Sequence, residues 1–389
     1  MKKYDILVVG AGPAGSMAAR AAAEGGRSVC ILERKSRVGI PVRCGEGIGM
    51  KGFSRHLELR REWVKATIKS FRMISPAGYR VDFKNFHKNV DKSFVVDREL
   101  MDADLAKDAV KAGAELHCNT PVVSIERHAS GMYECITPEE RYTGWCVILA
   151  EGIESRLARK FGWRTSLSFE DIESCAFTRI YDSKIDSDTM ELYLGSHVAP
   201  GGYAWIFPRG DGSANAGLGV LGTLSGPGKA EKYLKKFIAE KFPGARKDII
   251  HCGGVPVGRW IRPLYRDGVM IVGDAASQVN ALSGGGIAYA LHAGTLAGRA
   301  AARAFKKDRF DARGLKEYHK QWARFFGKYQ DRSYAVKKMV IDCYDDKFFD
   351  KTALSLMKED PERLNTIRFA LKAFAGHPIV LLKSLLLFR

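Results

Sequence analysis

The sequence predicts an α/β protein that combines a buried parallel sheet with an antiparallel sheet and a helical C-terminal region. Residues 6–9 and 269–272 are short apolar runs, as expected of strands buried on both faces. Residues 166–255 alternate apolar and polar side chains, which is the pattern of antiparallel strands. From about residue 300 the chain reads as helical and basic. The 389 residues are enough for two or three such domains.

Composition and charge exclude several classes of protein. With 46% hydrophobic and 27% charged residues the chain is globular, and its 40 glycines occur in short clusters, which excludes collagen-like and low-complexity proteins. The net charge of +18 would attract nucleic acid, phospholipid headgroups, a phosphorylated substrate or an acidic electron carrier. The basic residues match no helix-turn-helix, RNA-recognition or zinc-finger signature, so we expect no nucleic-acid partner.

The spacing of the cysteines and the length of the apolar runs indicate in which cellular compartment the protein is expected. None of the eight cysteines has C-x-x-C spacing, so we expect no metal site and no iron–sulfur cluster, and their positions in apolar strands are typical of reduced thiols. The first apolar run is too short for a signal peptide, and no uncharged run reaches the roughly 18 to 20 residues that cross a bilayer. We expect a cytoplasmic protein, with peripheral contact at the cytoplasmic face of the membrane as a further option.

Residues 4–33 predict a strand, a helix and a second strand around the sequence Gly-Ala-Gly-Pro-Ala-Gly. This matches G-x-G-x-x-G, the turn of a Rossmann-like dinucleotide-binding unit. Gly10 permits the tight turn, Gly12 lets a pyrophosphate approach the backbone, and Gly15 lets the helix pack closely on the strand. The helix then directs its N-terminal amides at the phosphates.

Glu33 ends the second strand, about 20 residues beyond the turn, where a carboxylate accepts the ribose hydroxyls and repels a 2′-phosphate. This favours FAD or NAD over NADP. Residues 217–222 also match G-x-G-x-x-G, but they follow an alternating aromatic stretch and lack a helix with an acidic residue at the right distance. We interpret them as a glycine-rich strand.

A second sequence pattern that indicates dinucleotide binding lies at residues 268–276, where a predicted buried strand is followed by Gly-Asp. Asp274 can accept a ribityl hydroxyl, and the glycines that follow open a helix of small residues whose amides would face the flavin pyrimidine. A helix N-terminus there would stabilise reduced flavin by about 0.3 to 2 kcal/mol. The alternative is that Asp274 caps that helix. Together with the first unit, this signal predicts FAD.

Three further stretches carry a resemblance to a known family. Residues 41–47 match a P-x-x-C-G-E segment, residues 203–208 match Y-x-W-x-F-P, and residues 283–287 match a glycine-rich flavin loop. Over about residues 1–300 the chain resembles flavoproteins of the aromatic-hydroxylase fold, and within them the geranylgeranyl reductase family, especially its archaeal members that act on digeranylgeranylglycerophospholipids. The resemblance implies an FAD-binding Rossmann-like domain of the GR2 type with an antiparallel-sheet substrate domain.

The resemblance also marks site residues. By position in the family pattern, the predicted FAD contacts are Ala14, Glu33, Cys44, Gly45, Gly47, Arg98, Val122, Asp274, Gly286 and Ile287. The predicted cofactor-binding set also includes Gly10, Gly12 and Gly15 of the first glycine loop, and Gly285 of the second. Cys44, expected beside the isoalloxazine ring, is the candidate catalytic residue. Arg98 would reach a phosphate or the flavin, or else be a surface charge at the start of a helix. One departure is Ala-Glu-Gly at residues 150–152, where the family pattern has Asp-Gly.

The resulting domain division has four parts. We expect the first part of the FAD-binding domain at residues 1–165, with a small substrate-side insertion near 60–95, the antiparallel substrate domain at 166–255, the second part of the FAD-binding domain at 256–300, and a helical basic region at 301–389. The apolar end at residues 379–389 is too short and too charged to span a membrane. It would lie at a membrane interface, close the substrate tunnel, or pack on the protein's own core.

Tyr203, Trp205 and Phe207 are predicted to share one face of a strand, because side chains alternate with period two. Three such aromatics are more often plain core, but the resemblance implies that they bind a prenyl chain, at about 25 cal/mol per Å² of buried apolar surface. It also implies that the protein saturates the C=C bonds of geranylgeranyl chains by hydride transfer from reduced flavin N5 and protonation. Three candidates for the proton donor stay open, namely Cys44, Tyr203 and ordered water. The reductant is either a ferredoxin-like protein or NAD(P)H.

Two other functions are compatible with the same fold. A flavin monooxygenase of the aromatic-hydroxylase type is the enzymatic alternative, since fold does not fix function. A non-catalytic prenyl-binding carrier is the second. The Cys44-Gly45-Glu46 segment and the aromatic motif favour the reductase, and the intact flavin motifs oppose the carrier.

Overall fold

The computed structural model describes residues 2–84, 92–307, 309–343, 345–360, 371–372 and 385. The strands are β1 Lys2–Val9, β2 Val29–Leu32, β3 Gly47–Gly49, β4 Val64–Ile68, β5 Ser70–Ile74, β6 Arg80–Lys84, β7 Ser93–Val96, β8 Ala114–His117, β9 Ser124–Arg127, β10 Tyr133–Ile136, β11 Arg141–Leu149, β12 Ile172–Tyr181, β13 Thr189–Tyr193, β14 Tyr203–Pro208, β15 Ser213–Leu221, β16 Arg246–Lys247, β17 His251–Pro256, β18 Tyr265–Arg266 and β19 Val269–Ile271. The helices are α1 Pro13–Glu24, α2 Met50–Phe53, α3 Arg98–Lys111, α4 Lys229–Lys241, α5 Ile287–Lys306, α6 Ala312–Trp322, α7 Lys328–Cys343 and α8 Asp346–Leu356.

The first compact unit comprises Met1–Val42, Arg98–Leu167 and Arg259–Asp331. Its sheet has the order β18-β19-β11-β1-β2-β8, with β10 and then β9 attached beyond β11. Strands β19, β11, β1, β2 and β8 run parallel, and β18 pairs with β19 in the antiparallel direction. Residues 6–8 of β1 are fully buried, as expected for a central strand between two parallel neighbours.

Helices α1 and α5 approach each other closely in this unit. A Cβ atom at Gly294 of α5 would lie 2.1 Å from the carbonyl oxygen of Ala14, and one at Gly298 would lie 2.2 Å from that of Ala18. Any larger residue at these two positions would overlap the backbone of α1. The glycines among the small residues of α5 therefore set the distance between the two helices.

The second compact unit comprises Arg43–Asp97, Ser168–Gly258 and Arg332–Arg389. Its larger sheet has the order β16-β12-β15-β14-β13-β5-β6, and β17 also pairs with β12. These pairs are antiparallel except for β13 and β5, which run parallel. A further sheet has the order β3-β7-β4. The four-part domain division predicted from the sequence stays a prediction, and the two compact units do not decide it.

The larger sheet of the second unit has two different faces. On one face, Ala176 of β12 and Leu218 of β15 pack with Leu234 and Phe237 of α4 in an apolar core. Alternate residues point to the opposite face, which we call the aromatic face, defined by Glu173, Cys175, Phe177, Tyr203, Trp205, Phe207 and Asn215. The prediction that the three aromatic residues of β14 share one face is confirmed.

Residues 217–221 of the second G-x-G-x-x-G sequence lie in strand β15, as predicted, and Gly222 begins a short 3-10 helix. A Cβ atom at Gly217 would lie 2.2 Å from the Trp205 ring, and one at Gly219 would lie 2.5 Å from Oε2 of Glu173. The two glycines thus leave room for side chains that reach across β15 from the neighbouring strands. Their role is packing on the aromatic face, and a strand offers no helix N-terminus to a phosphate.

Beyond α5 the described chain is mainly helical, with α6, α7 and α8. Ala353 and Leu356 of α8 are buried against Val81 and Phe83 of β6. The apolar end predicted at residues 379–389 lies outside the described residues, apart from Leu385. Among the helices that are described, none is long and apolar enough to cross a bilayer. The predicted α/β class with a helical C-terminal region is confirmed.

Candidate functional site

The loop between β1 and α1 contains glycines with two different roles. Gly10 has a φ of +102°, and a Cβ atom there would lie 2.4 Å from the carbonyl oxygen of Ala150. A Cβ atom at Gly15 would lie 1.9 Å from the carbonyl oxygen of Gly10. These two residues are glycine because the backbone of the first unit leaves no room for a side chain.

Gly12 is the exception in this loop. In the described part of the chain, no atom outside Gly12 and its two chain neighbours lies within 4 Å of the position that its Cβ would take. Gly12 is the residue before α1, so this open space lies at the end of the helix where the backbone N–H groups have no helical partner. Ala14 follows in the first turn of α1 and is buried beside Gly273. The loop therefore fits the pyrophosphate of a dinucleotide such as FAD.

Glu33 follows directly after β2 and is only 7% exposed. Its Oε2 accepts a hydrogen bond of 2.7 Å from the backbone N–H of Ala11, and its Oε1 accepts one of 2.9 Å from that of Lys35. The carboxylate therefore fixes the glycine loop, and each oxygen keeps a lone pair for a ribose hydroxyl. The sequence predicted the ribose role but not the contact with the loop.

The structure explains why residues 150–152 are Ala-Glu-Gly where the family pattern has Asp-Gly. Oε1 of Glu151 accepts a hydrogen bond of 2.9 Å from the backbone N–H of Leu157, and Oε2 accepts one of 3.1 Å from that of Ala158. Burial raises the pKa of Glu151, and these backbone donors oppose the increase. The longer carboxylate thus caps the short helix Leu157–Phe161, while Ala150 supports Gly10 through the close contact described above.

Asp274 lies in the short helix Gly273–Ala276, just after β19. Helix α5 begins after Gly286, and a role for Asp274 as the cap of that helix stays the alternative to the ribityl role. Oδ1 of Asp274 lies 3.5 Å from the position that a Cβ at Gly286 would take. Burial raises the pKa of Asp274, and the charge of Arg98 opposes the increase. The carboxylate and the start of α5 therefore lie together.

The Asp274 turn rests on a buried network that the sequence did not reveal. The Gln278 amide oxygen accepts a hydrogen bond of 2.8 Å from the backbone N–H of Gly273. The Gln278 amide nitrogen donates to the Tyr318 hydroxyl at 3.0 Å, and that hydroxyl donates to the carbonyl oxygen of Ile271 at 3.0 Å. Tyr318 of α6 therefore holds the turn to the end of β19.

We expect replacement of Tyr318 by phenylalanine to lower the free energy of unfolding by about 1 to 3 kcal/mol, because buried Gln278 and Ile271 groups then lose their partner. Urea unfolding of the FAD-free protein measures this. Tyr265→Phe is the matched control, since the Tyr265 hydroxyl has no hydrogen bond within the described structure. Equal stability of the two variants would contradict the role given to Tyr318.

The remaining predicted contacts of the first unit are Arg98, Val122, Gly285 and Ile287. Arg98 begins α3 and makes a bidentate pair with Asp102, at 2.9 and 2.7 Å. Val122 is partly buried against the core, and Gly285 and Ile287 flank the N-cap of α5. All four stay predicted FAD contacts.

In the second unit, the Cys44 segment lies on the aromatic face. The Asn215 side-chain N–H donates a hydrogen bond of 2.8 Å to the carbonyl oxygen of Cys44, and Asn215 accepts one of 2.9 Å from the Trp205 indole. A Cβ atom at Gly45 would lie 3.1 Å from the Phe207 ring, and one at Gly47 would lie at the same distance from it. The segment is therefore held against β14 and β15, and its glycines let it approach the rings.

A buried ion-pair network supports the same segment. The Arg209 guanidinium, in a residue only 3% exposed, donates to the carboxylate of Glu46 and, at 3.1 Å, to that of Asp97. Glu46 is itself 3% exposed and has a φ of +67°, which is rare for a residue with a side chain. The network thus fixes an unusual backbone conformation two residues after Cys44. The sequence offered no signal for it beyond the glutamate of the P-x-x-C-G-E match.

Each unit thus contains its own set of predicted site residues. The first unit brings together the glycine loop, Glu33, Asp274 and the start of α5, and the second brings together Cys44, Gly45, Gly47 and the aromatic residues of β14. Over the part of the chain that the structure describes, no group of three or more histidine, cysteine or acidic residues is placed to hold a metal ion.

Two protein-family models and several named relatives match this chain. A family model of FAD-dependent oxidoreductases matches residues 5–152, and a model of the geranylgeranyl reductase catalytic domain matches residues 171–257. A digeranylgeranylglycerophospholipid reductase of Methanosarcina acetivorans is 39% identical over 88% of this chain and 86% of its own length. One of Methanothrix thermoacetophila is 38% identical over 93% of this chain and 94% of its own.

Solved structures show the same fold. A geranylgeranyl bacteriochlorophyll reductase-like protein from Thermoplasma acidophilum superposes with a TM-score of 0.90 at 29% identity, over the full length of both chains. The flavin-dependent halogenase CmlS superposes with a TM-score of 0.71 at 18% identity, over 96% of this chain and 73% of its own. The halogenase supports the fold alone.

Proposed function

The chain belongs to the digeranylgeranylglycerophospholipid reductase family, and on that premise we propose that it uses FAD to saturate the C=C bonds of geranylgeranyl chains in a digeranylgeranylglycerophospholipid. The observation that carries this proposal is the Cys44 segment held by hydrogen bonds over the aromatic face. The glycine loop and the Asp274 turn supply the matching cofactor site.

The first unit supplies the residues that would hold FAD. The open space at Gly12 and the amides of α1 would receive the pyrophosphate, and Glu33 would receive the adenosine ribose. Asp274 would hold the ribityl chain, and the N-terminal amides of α5 would face the pyrimidine, where their partial positive charge would favour the reduced state. When bound and reduced, FAD would supply the hydride for one carbon of the alkene through its N5, and these residues would hold and orient it.

The second unit supplies an apolar surface for the prenyl chain. Tyr203 and Phe207 are only partly buried, so their rings offer contact area to a ligand, and Trp205, which is 8% exposed, packs against both rings. An isolated alkene has no polar group to recognise, so buried apolar area must position it, at about 25 cal/mol per Å². The aromatic rings also stabilise positive charge that develops on a branched carbon.

The reaction is tested in a single turnover. The FAD-loaded protein is reduced anaerobically, and digeranylgeranylglyceryl phosphate is added while flavin absorbance and lipid mass are followed. We expect one pair of hydrogens to enter the lipid for each flavin that is reoxidised. A reducible flavin that leaves the lipid unchanged would refute the proposal, and oxygen consumption triggered by a phenol would favour the monooxygenase. A folded protein that binds no FAD would favour the carrier.

We also propose an electron donor and a location. The net charge of +18 supports an acidic ferredoxin-like protein as the donor, with NAD(P)H as the alternative. The same charge supports peripheral binding to an anionic membrane at its cytoplasmic face, where a lipid substrate would be found. Anaerobic reduction of the flavin by each donor, and sedimentation with anionic vesicles, test these two points.

A further inference from the structure

Glu173 of β12 is a buried carboxylic acid on the aromatic face. It is 8% exposed, and two glycines on neighbouring segments make the room that its carboxyl group occupies. A Cβ atom at Gly219 would lie 2.5 Å from Oε2 of Glu173, and one at Gly202 would lie 3.7 Å from Oε1. Gly202 directly precedes Tyr203, so the carboxyl group lies beside the start of the aromatic motif.

The Glu173 carboxyl group has no structural partner. Within the described residues it makes neither a hydrogen bond nor an ion pair, although buried carboxylates normally have one. Glu46, another buried carboxylate of the same unit, does have one, because it pairs with Arg209. A polar group that is buried without a partner costs stability, so its presence points to a role in the reaction.

The groups around Glu173 decide what its carboxyl group can do. Cys175, two residues along β12, interacts with it and with Cys44 and Cys252, and Tyr203 of β14 interacts with it and with Cys44. Burial raises the pKa of the Tyr203 hydroxyl and that of the Cys175 thiol well above their usual ranges. Both groups therefore keep their protons at neutral pH and release them poorly.

Glu173 differs from these weak acids. Burial raises its pKa to about 7, and the charge of Lys337 on α7 opposes a larger increase. The Lys337 ammonium donates to the carbonyl oxygens of Glu170, at 2.7 Å, and Val257, at 3.0 Å. It therefore lies near enough to stabilise a carboxylate at Glu173 electrostatically. Burial lowers the pKa of Lys337, and the Asp171 and Glu173 carboxylates oppose this decrease.

We propose that Glu173 is the general acid of the reduction, a role that rests on the function proposed above. The carboxyl O–H bond of Glu173 breaks and a C–H bond forms at one alkene carbon, while the hydride supplied by reduced FAD forms the C–H bond at the other. The products are the saturated C–C bond, oxidised FAD and the Glu173 carboxylate, which Lys337 stabilises until solvent returns the proton. Cys44 and Tyr203 then line the surface and are not the proton source.

The test compares the wild type with Glu173→Gln, which keeps the shape of the side chain and removes its acidic proton. We expect single-turnover reoxidation of the flavin by digeranylgeranylglyceryl phosphate to slow by about 10² to 10⁴-fold. The wild-type rate should fall as pH rises through about 7, because only the protonated acid is active. Glu170→Gln, an exposed carboxylate three residues away that pairs with Lys338, is the control and should match the wild type.

A second measurement does not depend on turnover. Infrared spectra of the FAD-free protein should show a carboxylic-acid C=O band that disappears as pH rises through about 7 and is missing in Glu173→Gln. Glu173→Asp retains an acidic proton, so it should keep the pH dependence and recover part of the rate. This recovery separates proton donation from a merely structural role.

The outcomes separate this inference from the proposed function. If the wild type reduces the lipid and Glu173→Gln does so at the same rate, or if the wild-type rate does not change with pH, Glu173 is not the acid although the function stands. If the wild type reduces no geranylgeranyl lipid at all, the function fails and the role of Glu173 falls with it. A C=O band that survives in Glu173→Gln would show that the protonated acid is another residue.

Discussion

Gly12→Val protein is expected to fold and to lose FAD. The Gly12 backbone has a φ of −66° and extended geometry, which valine adopts without strain, and a Cβ there meets no atom of the described chain within 4 Å outside its two chain neighbours. The valine side chain would instead fill the space over the amides of α1, where the pyrophosphate has to approach the backbone. We expect FAD affinity to fall at least about 100-fold, close to 3 kcal/mol.

The experiment measures two quantities on the same protein. FAD binding is followed by flavin fluorescence quenching, and the free energy of unfolding is measured without FAD, where we expect a change within about 0.5 kcal/mol. Gly226→Val is the matched control, because a Cβ there would meet only the Lys229 side chain, at 3.7 Å and beyond. A Gly12→Val protein that purifies with a full complement of FAD would refute the assignment of this loop.

Arg209→Leu is expected to cause the largest loss of stability. Arg209 and Glu46 are each 3% exposed, and removal of the guanidinium leaves the Glu46 carboxylate buried without its cation. Breaking a buried pair in this way costs about 3 to 5 kcal/mol. The backbone at Glu46, with its φ of +67°, would lose its support, so the Cys44 segment should loosen as well.

Equilibrium urea unfolding measures the decrease in the free energy of unfolding. Faster hydrogen exchange at residues 44–47 would report that the Cys44 segment has become less ordered. Lys65→Met is the control, because Lys65 pairs with Asp97 in the same network but is 34% exposed, and we expect a cost of about 0 to 1 kcal/mol. Adding Glu46→Gln to Arg209→Leu should recover part of the stability by removing the unpaired anion. Equal losses for Arg209→Leu and Lys65→Met would contradict the buried network.

Local patterns in the sequence predicted the parts of the protein that depend on neighbouring residues. Helix α1 has the bounds that the proline at its start and the glycines after its end indicate, and residues 203, 205 and 207 share a face because strand side chains alternate. Gly217 and Gly219 could be separated from a phosphate loop because they lie in an alternating strand, and the next α-helix begins only at Lys229.

Contacts between distant segments could not be predicted in this way. Arg209 meets Glu46 and Asp97 from positions 163 and 112 residues away along the chain, and no local pattern connects them. In the sequence, Glu173 is one polar residue in a stretch of alternating apolar and polar residues, and nothing nearby marks it as buried. Its burial became visible only once the pairing of β12 with β15 placed Gly219 beside it.

The close contact of α1 and α5 has a consequence for the thermodynamics of cofactor binding. Gly294 and Gly298 join the two helices backbone to backbone, so the N-terminal ends assigned to the pyrophosphate and the pyrimidine belong to one rigid pair. Packing within the chain itself therefore preorganises both helix ends for FAD. Because little conformational entropy is lost when FAD binds, most of the interaction energy with those amides is retained as affinity.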